Sequence, residues 1–109
     1  MHELSITASV VDAVVEKMGE ATVVRVRLEI GRLSGVVVDS LRFCFDLITE
    51  DTTLAGAVLQ VDQPAGLARC RSCGAEFPID DLLAICACGG IELDVLAGQD
   101  MRIKEVEVR

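Results

Sequence analysis

The segment CRSCGAEFPIDDLLAICACGG, residues 70–90, holds four of the five cysteines of this 109-residue chain. They form two close pairs, Cys70 with Cys73 and Cys86 with Cys88, and glycine follows each pair. Such pairs can fold as tight turns whose backbone N–H groups point at the sulfurs, because glycine permits the positive φ that these turns need. Four thiolates are a common ligand set of tetrahedral Zn(II). The spacing therefore predicts a zinc ribbon.

Two other uses of these cysteines stay open. A redox pair at Cys70 and Cys73 would be expected within a thioredoxin-like βαβ pattern, which the surrounding sequence lacks. Disulfides are the other alternative. Cys86 and Cys88 are separated by one residue where a regular zinc-binding turn has two, so we expect less ideal geometry and easier thiol exchange there. Cys44 lies on a predicted apolar helix face, and we expect it to be an inert core residue.

A second candidate metal site lies at the start of the chain, Met1-His2-Glu3, where His2 is the only histidine. The α-amine of Met1 and the backbone and imidazole nitrogens of His2 can close fused rings around one metal ion. Planar nitrogen ligands suit Ni(II) or Cu(II) better than Zn(II). We expect the Met1 amine to survive processing, because methionine removal generally needs a small second residue. The alternative is an exposed, mobile histidine without a metal role.

Composition and charge limit the classes of protein to which this chain can belong. The formal net charge is −8, which disfavours nucleic acid as a partner and suits a cation carrier. No apolar run approaches the length of a transmembrane helix, and no basic segment precedes the first apolar positions as in a signal peptide. We therefore expect a cytoplasmic protein without a membrane role, whose cysteines bind metal or pack in the core.

Hydrophobic periodicity predicts two helices and several strands. An apolar stripe at helical spacing marks a helix over residues 4–18, formed by Leu4, Ala8, Val11, Val15 and Met18. Alternation over residues 22–31 and 57–63 predicts two strands, and the C-terminal tail reads as strand again. A second helix runs to about residue 50, capped by Asp39 or Ser40, with an inner face of Leu41, Cys44, Phe45 and Ile48.

This order of elements predicts an α+β fold. Two helices cover one face of a small antiparallel sheet, and a four-cysteine, zinc-ribbon-like subdomain is inserted before the last strands. We place the larger domain at residues 1–63 plus 97–109, and the zinc-binding subdomain at residues 64–96.

Four segments together resemble one known family, the HypA/HybF nickel metallochaperones of [NiFe]-hydrogenase maturation. They are MHELS (1–5), LEIGRLSGV (28–36), LRFCF (41–45) and KEVEV (104–108), and the paired cysteines fall where that family holds its zinc. The second pair departs from the family, which has two residues between the cysteines of both pairs. This departure bears on the zinc geometry more than on the presence of zinc.

The resemblance implies a function and a set of ligands. His2 would anchor Ni(II) as transient cargo, assisted by the Met1 amine and the N-terminal backbone, and Glu3 is the neighbouring acidic residue of the family motif. Zn(II) would be structural, held by Cys70, Cys73, Cys86 and Cys88. The partners implied are a HypB-like maturation GTPase and the hydrogenase large subunit, with urease maturation served in some cases.

A rival function is a zinc-ribbon adaptor for protein interaction, in which His2 is incidental and nickel has no role. An enzyme is not expected. The chain has one histidine, no tyrosine and no Gly-rich phosphate loop. It therefore lacks a set of side chains suited to catalysing hydrolysis or group transfer.

Overall fold

The computed structural model describes the backbone of residues 2–109 and the side chains of residues 3–109. Over this range the helices are α1 (His2–Met18) and α2 (Val38–Ile48). The strands are β1 (Val23–Ile30), β2 (Val58–Asp62), β3 (Gly66–Cys70), β4 (Glu76–Ile79), β5 (Leu93–Ala97) and β6 (Met101–Val108). They form two three-stranded sheets, in the orders β2-β1-β6 and β4-β3-β5. The predicted α+β class, with two helices and a four-cysteine subdomain before the last strand, is confirmed.

The chain divides into two compact units. Unit 1 takes the first stretch, ending at Leu28, together with Val36–Val61 and Arg102–Arg109. Unit 2 takes Glu29–Gly35 and Asp62–Met101, and so contains all four paired cysteines.

In unit 1, α1 packs against α2, but with a different face from the one predicted. The buried positions of α1 are Thr7, Val10, Val11 and Val14, whereas Leu4, Ala8 and Val15 of the predicted stripe are exposed. The apolar residues of α1 cover more of its circumference than one stripe, and periodicity alone does not say which part meets the core. The predicted apolar stripe was therefore wrong: it is displaced by about one residue from the face of α1 that is buried.

The second helix agrees with its predicted inner face but not with its predicted cap. Leu41, Cys44 and Phe45 are buried, as expected. The N-cap position is Val37, whose side chain makes no capping hydrogen bond. Asp39 and Ser40 lie inside the helix, so the predicted cap was wrong. A residue distant in sequence, Glu3, supplies the missing acceptor.

A ladder of charged side chains crosses the sheet of unit 1. Arg25 of β1 donates through Nε to Glu107 of β6 at 3.0 Å and through Nη1 to Gln60 of β2 at 3.0 Å. Arg27 donates to Glu105 at 3.1 Å. Each exposed pair contributes only about 0.2–1 kcal/mol to the free energy of unfolding. The main effect of the ladder is therefore to favour this order of neighbouring strands.

In unit 2, β3 is the central strand and pairs antiparallel with β4 on one side and β5 on the other. The sequence indicated only turns over residues 64–90, so β3 and β4 were missed. Both are short, and glycine, proline and cysteine interrupt the alternation that identifies a strand.

Three glycines of unit 2 lie so close together that no side chain fits between them, and we call them the glycine clasp (Gly31, Gly66 and Gly98). A Cβ on Gly31 would stand 2.0 Å from the carbonyl oxygen of Gly98, and one on Gly98 would stand 2.5 Å from the Cα of Gly66. The backbone N–H of Gly31 donates to Asp100 at 2.9 Å, and that of Leu33 donates to Gly98 at 2.8 Å. This close approach explains why the Leu28–Val36 motif carries glycine at position 31.

Candidate metal sites

The first cysteine pair forms a tight turn at the end of β3. The N–H of Cys70 donates to the carbonyl of Ala75 at 2.9 Å, and the N–H of Gly74 donates to the carbonyl of Cys70 at 2.9 Å. Gly74 has φ +77°, the conformation predicted for it. The N–H of Ser72 lies 3.4 Å from the Cys70 sulfur and donates to it. The backbone thus presents donors to a thiolate, as the sequence predicted.

The second pair also lies in a turn, despite its shorter spacing. The N–H of Gly89 donates to the carbonyl of Cys86 at 2.8 Å, and the N–H of Cys86 donates to the carbonyl of Gly90 at 3.0 Å. The N–H of Gly90 donates to the Cys88 sulfur at 3.4 Å. Residues 87 and 88 therefore form a turn, and Cys88 receives the same kind of N–H contact as Cys70.

The four sulfurs converge on one point. The Cys70 and Cys88 sulfurs are 3.6 Å apart, and so are those of Cys73 and Cys86. All four lie within 4.8 Å of one another. A tetrahedral zinc with bonds of about 2.3 Å places its sulfurs about 3.8 Å apart, so the cluster has the size of a zinc–thiolate site. All five cysteines of the chain are free of disulfides.

The electrostatics of the cluster favour a bound cation. The N–H of Cys73, followed by that of Ser72, holds the pKa of the Cys70 thiol down at about 6, against the desolvation that opposes it. At Cys88 the Gly90 N–H favours the thiolate, but hydrogen bonds with the sulfurs of Cys86, Cys70 and Cys73 outweigh it and raise the pKa to about 12. Crowded sulfurs resist losing all their protons unless a metal ion supplies compensating charge.

Gly90 is a part of this site that the sequence did not single out as a contact. A Cβ at this position would lie 2.8 Å from the Cys70 sulfur and 3.3 Å from the Cys88 sulfur. The second residue after this pair is therefore glycine because the sulfurs approach its Cα closely. The glycine pair at positions 89 and 90 was the available signal.

The fifth cysteine, Cys44, belongs to a different environment. It is buried on the inner face of α2 in unit 1, as predicted, while the four paired cysteines belong to unit 2. Among the side chains of residues 3–109, the four-cysteine cluster is the one group of three or more such ligands placed to hold a metal ion.

The N-terminal candidate site lies only partly within the described structure. Met1 and the side chain of His2 are outside the described residues, whereas the backbone of His2 begins α1. Glu3 is half-buried, and its Oε2 accepts a hydrogen bond from the backbone N–H of Val37 at 3.1 Å. The Glu3 carbonyl accepts a hydrogen bond from the Thr7 hydroxyl at 2.6 Å.

The fold and the cysteine site define a small α+β protein with a four-thiol metal centre in a unit of its own. A family model described as "Hydrogenase/urease nickel incorporation, metallochaperone, hypA" matches residues 1–108. The chain therefore belongs to the HypA family of nickel metallochaperones, which act in hydrogenase maturation.

Relatives with the same description match along almost the whole chain. The hydrogenase maturation factor HypA of Geotalea uraniireducens is 50% identical over 109 residues, which is 99% of each chain. That of Nostoc sp. is 46% identical over 108 residues, covering 99% of this chain and 96% of the relative. These similarities support the resemblance that the four sequence segments indicated.

Solved structures agree in fold. The solution structure of the Ni metallochaperone HypA from Helicobacter pylori has a TM-score of 0.65 at 21% identity, covering 97% of this chain and 96% of the other. Another solution structure of a HypA protein has a TM-score of 0.67, also at 21% identity, covering 100% and 97%. Within residues 2–109, neither helix is long and apolar enough to cross a membrane.

Proposed function

We propose that the protein binds Ni(II) at its N-terminus and delivers it for assembly of the [NiFe]-hydrogenase metal centre. The amine of Met1 and the backbone and imidazole nitrogens of His2 supply the ligands, with Glu3 beside them. Family membership carries this proposal. It is supported by the placement of all four paired cysteines in unit 2, which leaves the N-terminal nitrogens as a separate ligand set for a second metal.

The four-sulfur cluster is proposed to hold a permanent Zn(II). Its ligands are all sulfur, and its sulfur separations fit tetrahedral thiolate coordination. We propose residues 64–96, which lie within unit 2, as the zinc-binding subdomain, and residues 1–63 with 97–109 as the nickel-binding domain. A carrier must release its cargo, and an N-terminal site with few ligands exchanges metal more readily than four thiolates.

The proposed partners follow from this role. A HypB-like maturation GTPase and the hydrogenase large subunit receive the metal. The protein acts as a carrier and catalyses no reaction of its own. Its free cysteines suit a reducing compartment, which favours the cytoplasm.

One observation favours the rival role of a zinc-ribbon adaptor. The segment around the second cysteine pair exposes four large apolar side chains, Leu82, Leu83, Ile85 and Ile91. Exposed apolar groups concentrated in one segment are typical of protein-binding surfaces. An adaptor without a nickel role predicts that the purified protein binds no stoichiometric nickel.

The decisive test is calorimetric titration of Ni(II) into zinc-loaded protein with a free N-terminus. We expect one Ni(II) per chain in the wild type and in the matched control Ser9→Ala, and loss of this binding in His2→Ala. A residue added before Met1 should weaken binding because it moves the amine away. Unchanged affinity in His2→Ala would refute the N-terminal site.

The pH dependence provides an independent check. An imidazole titrates near about 6.5 and a terminal amine near about 7.7–8.0, and both must lose a proton to bind metal. Nickel affinity should therefore fall steeply from about pH 8 to about pH 6. A flat profile would indicate carboxylate ligands instead.

A further inference from the structure

The N-terminus of α2 lacks a capping side chain of its own. Val37 occupies the N-cap position with φ −88° and ψ 107°, and its apolar side chain offers no oxygen. The first N–H groups of a helix have no partner within the helix, and valine is among the poorest residues at this position. The start of α2 therefore depends on an acceptor from elsewhere.

Glu3 supplies an acceptor from the first turn of α1. Its Oε2 lies 3.1 Å from the Val37 nitrogen, across 34 positions of sequence and within unit 1. A carboxylate at a helix N-terminus gains from both the charged hydrogen bond and the helix dipole. Glu3 itself is held in place, because the buried Thr7 hydroxyl donates to its carbonyl at 2.6 Å.

We propose that Glu3 is a positioning residue that ties the first turn of α1 to the start of α2, rather than a source of oxygen for the metal. This inference rests on the proposed nickel function, because the held turn is the one that begins at His2. The Glu3–Val37 hydrogen bond would orient the backbone that carries the nickel ligands and, at the same time, stabilise the first turn of α2.

The test compares Glu3→Ala, Glu3→Gln and the control Glu16→Ala, an exposed glutamate of the same helix. Hydrogen exchange is first measured on zinc-loaded, nickel-free protein. In Glu3→Ala the amides of residues 37–41 should exchange about tenfold faster, which corresponds to about 1.4 kcal/mol of lost capping energy. Glu3→Gln keeps an acceptor oxygen and should restore part of the protection, while Glu16→Ala should change nothing there.

Nickel binding then separates positioning from a merely structural cap. In Glu3→Ala we expect weaker Ni(II) binding with unchanged absorption maxima, because the ligands stay the same, and partial recovery of affinity in Glu3→Gln. A shifted nickel spectrum would make Glu3 a ligand and overturn the proposal. Unchanged exchange at residues 37–41, or unchanged nickel affinity, would overturn it too. Since the exchange arm needs no nickel, failure of the nickel function itself would be recognised separately.

Discussion

Unit 1 and unit 2 are stabilised in different ways. Unit 1 buries valine, leucine and phenylalanine side chains from both helices and its sheet, including Phe45, Leu28 and Leu41. The apolar side chains buried in unit 2 are few, namely Ile30, Ala68, Ile79 and two cysteines of the cluster, Cys70 and Cys86. A segment with so small a core usually needs a metal or disulfides to fold. Unit 1 is therefore built on a hydrophobic core, and unit 2 on its four sulfurs.

This difference between the units suits two metal ions that stay bound for different lengths of time. A metal that completes a core cannot leave without unfolding its unit, so it is resident. A metal at the chain terminus of a unit that already has a core can bind and leave while the fold persists. The proposed separation of structural zinc from nickel cargo follows from this contrast.

The largest expected effect comes from breaking the cluster. Cys70→Ser should abolish zinc binding and unfold the region 64–95, because zinc contributes about 10 kcal/mol or more to the folding of comparable small domains. Metal analysis and amide exchange measure the outcome, and α1 and α2 should keep their protection. Cys44→Ala is the matched control and should retain zinc. Intact zinc binding in Cys70→Ser would show that unit 2 does not depend on these sulfurs.

The next largest effect concerns the glycine clasp of unit 2, which includes none of the four sulfurs. Gly31→Ala should destabilise the zinc-loaded protein by about 4 kcal/mol or more, since the new Cβ meets backbone of the glycine clasp that cannot move aside. Gly35→Ala is the control, because a Cβ there meets nothing within 4 Å. Gly35 has φ +80°, and its replacement by alanine should lower the free energy of unfolding by only about 1 kcal/mol. If denaturant unfolding showed that Gly31→Ala and Gly35→Ala lose equal free energies of unfolding, the glycine clasp would have no special role.

The sequence predicted the elements of unit 1 well, because long periodic segments define helices and strands. It also identified the four cysteines of the cluster, because the two members of each pair lie close together in sequence. It placed the buried face of α1 wrongly, because valine and leucine occupy several faces of that helix and only the packing selects one. The cap supplied to Val37 by Glu3 and the clasp of Gly31 with Gly98 join residues far apart in sequence, and no local pattern records them.

The most direct test of this account is a chelator challenge on protein loaded with both metals. EDTA is added to wild-type protein with a free N-terminus, and nickel and zinc that remain bound are measured over time. We expect nickel to leave quickly, with helix content and the protection of unit 2 unchanged, while zinc stays. Loss of both metals at the same rate, or nickel retained until the cysteines are oxidised, would contradict the claim that this chain carries a resident metal and a separate cargo.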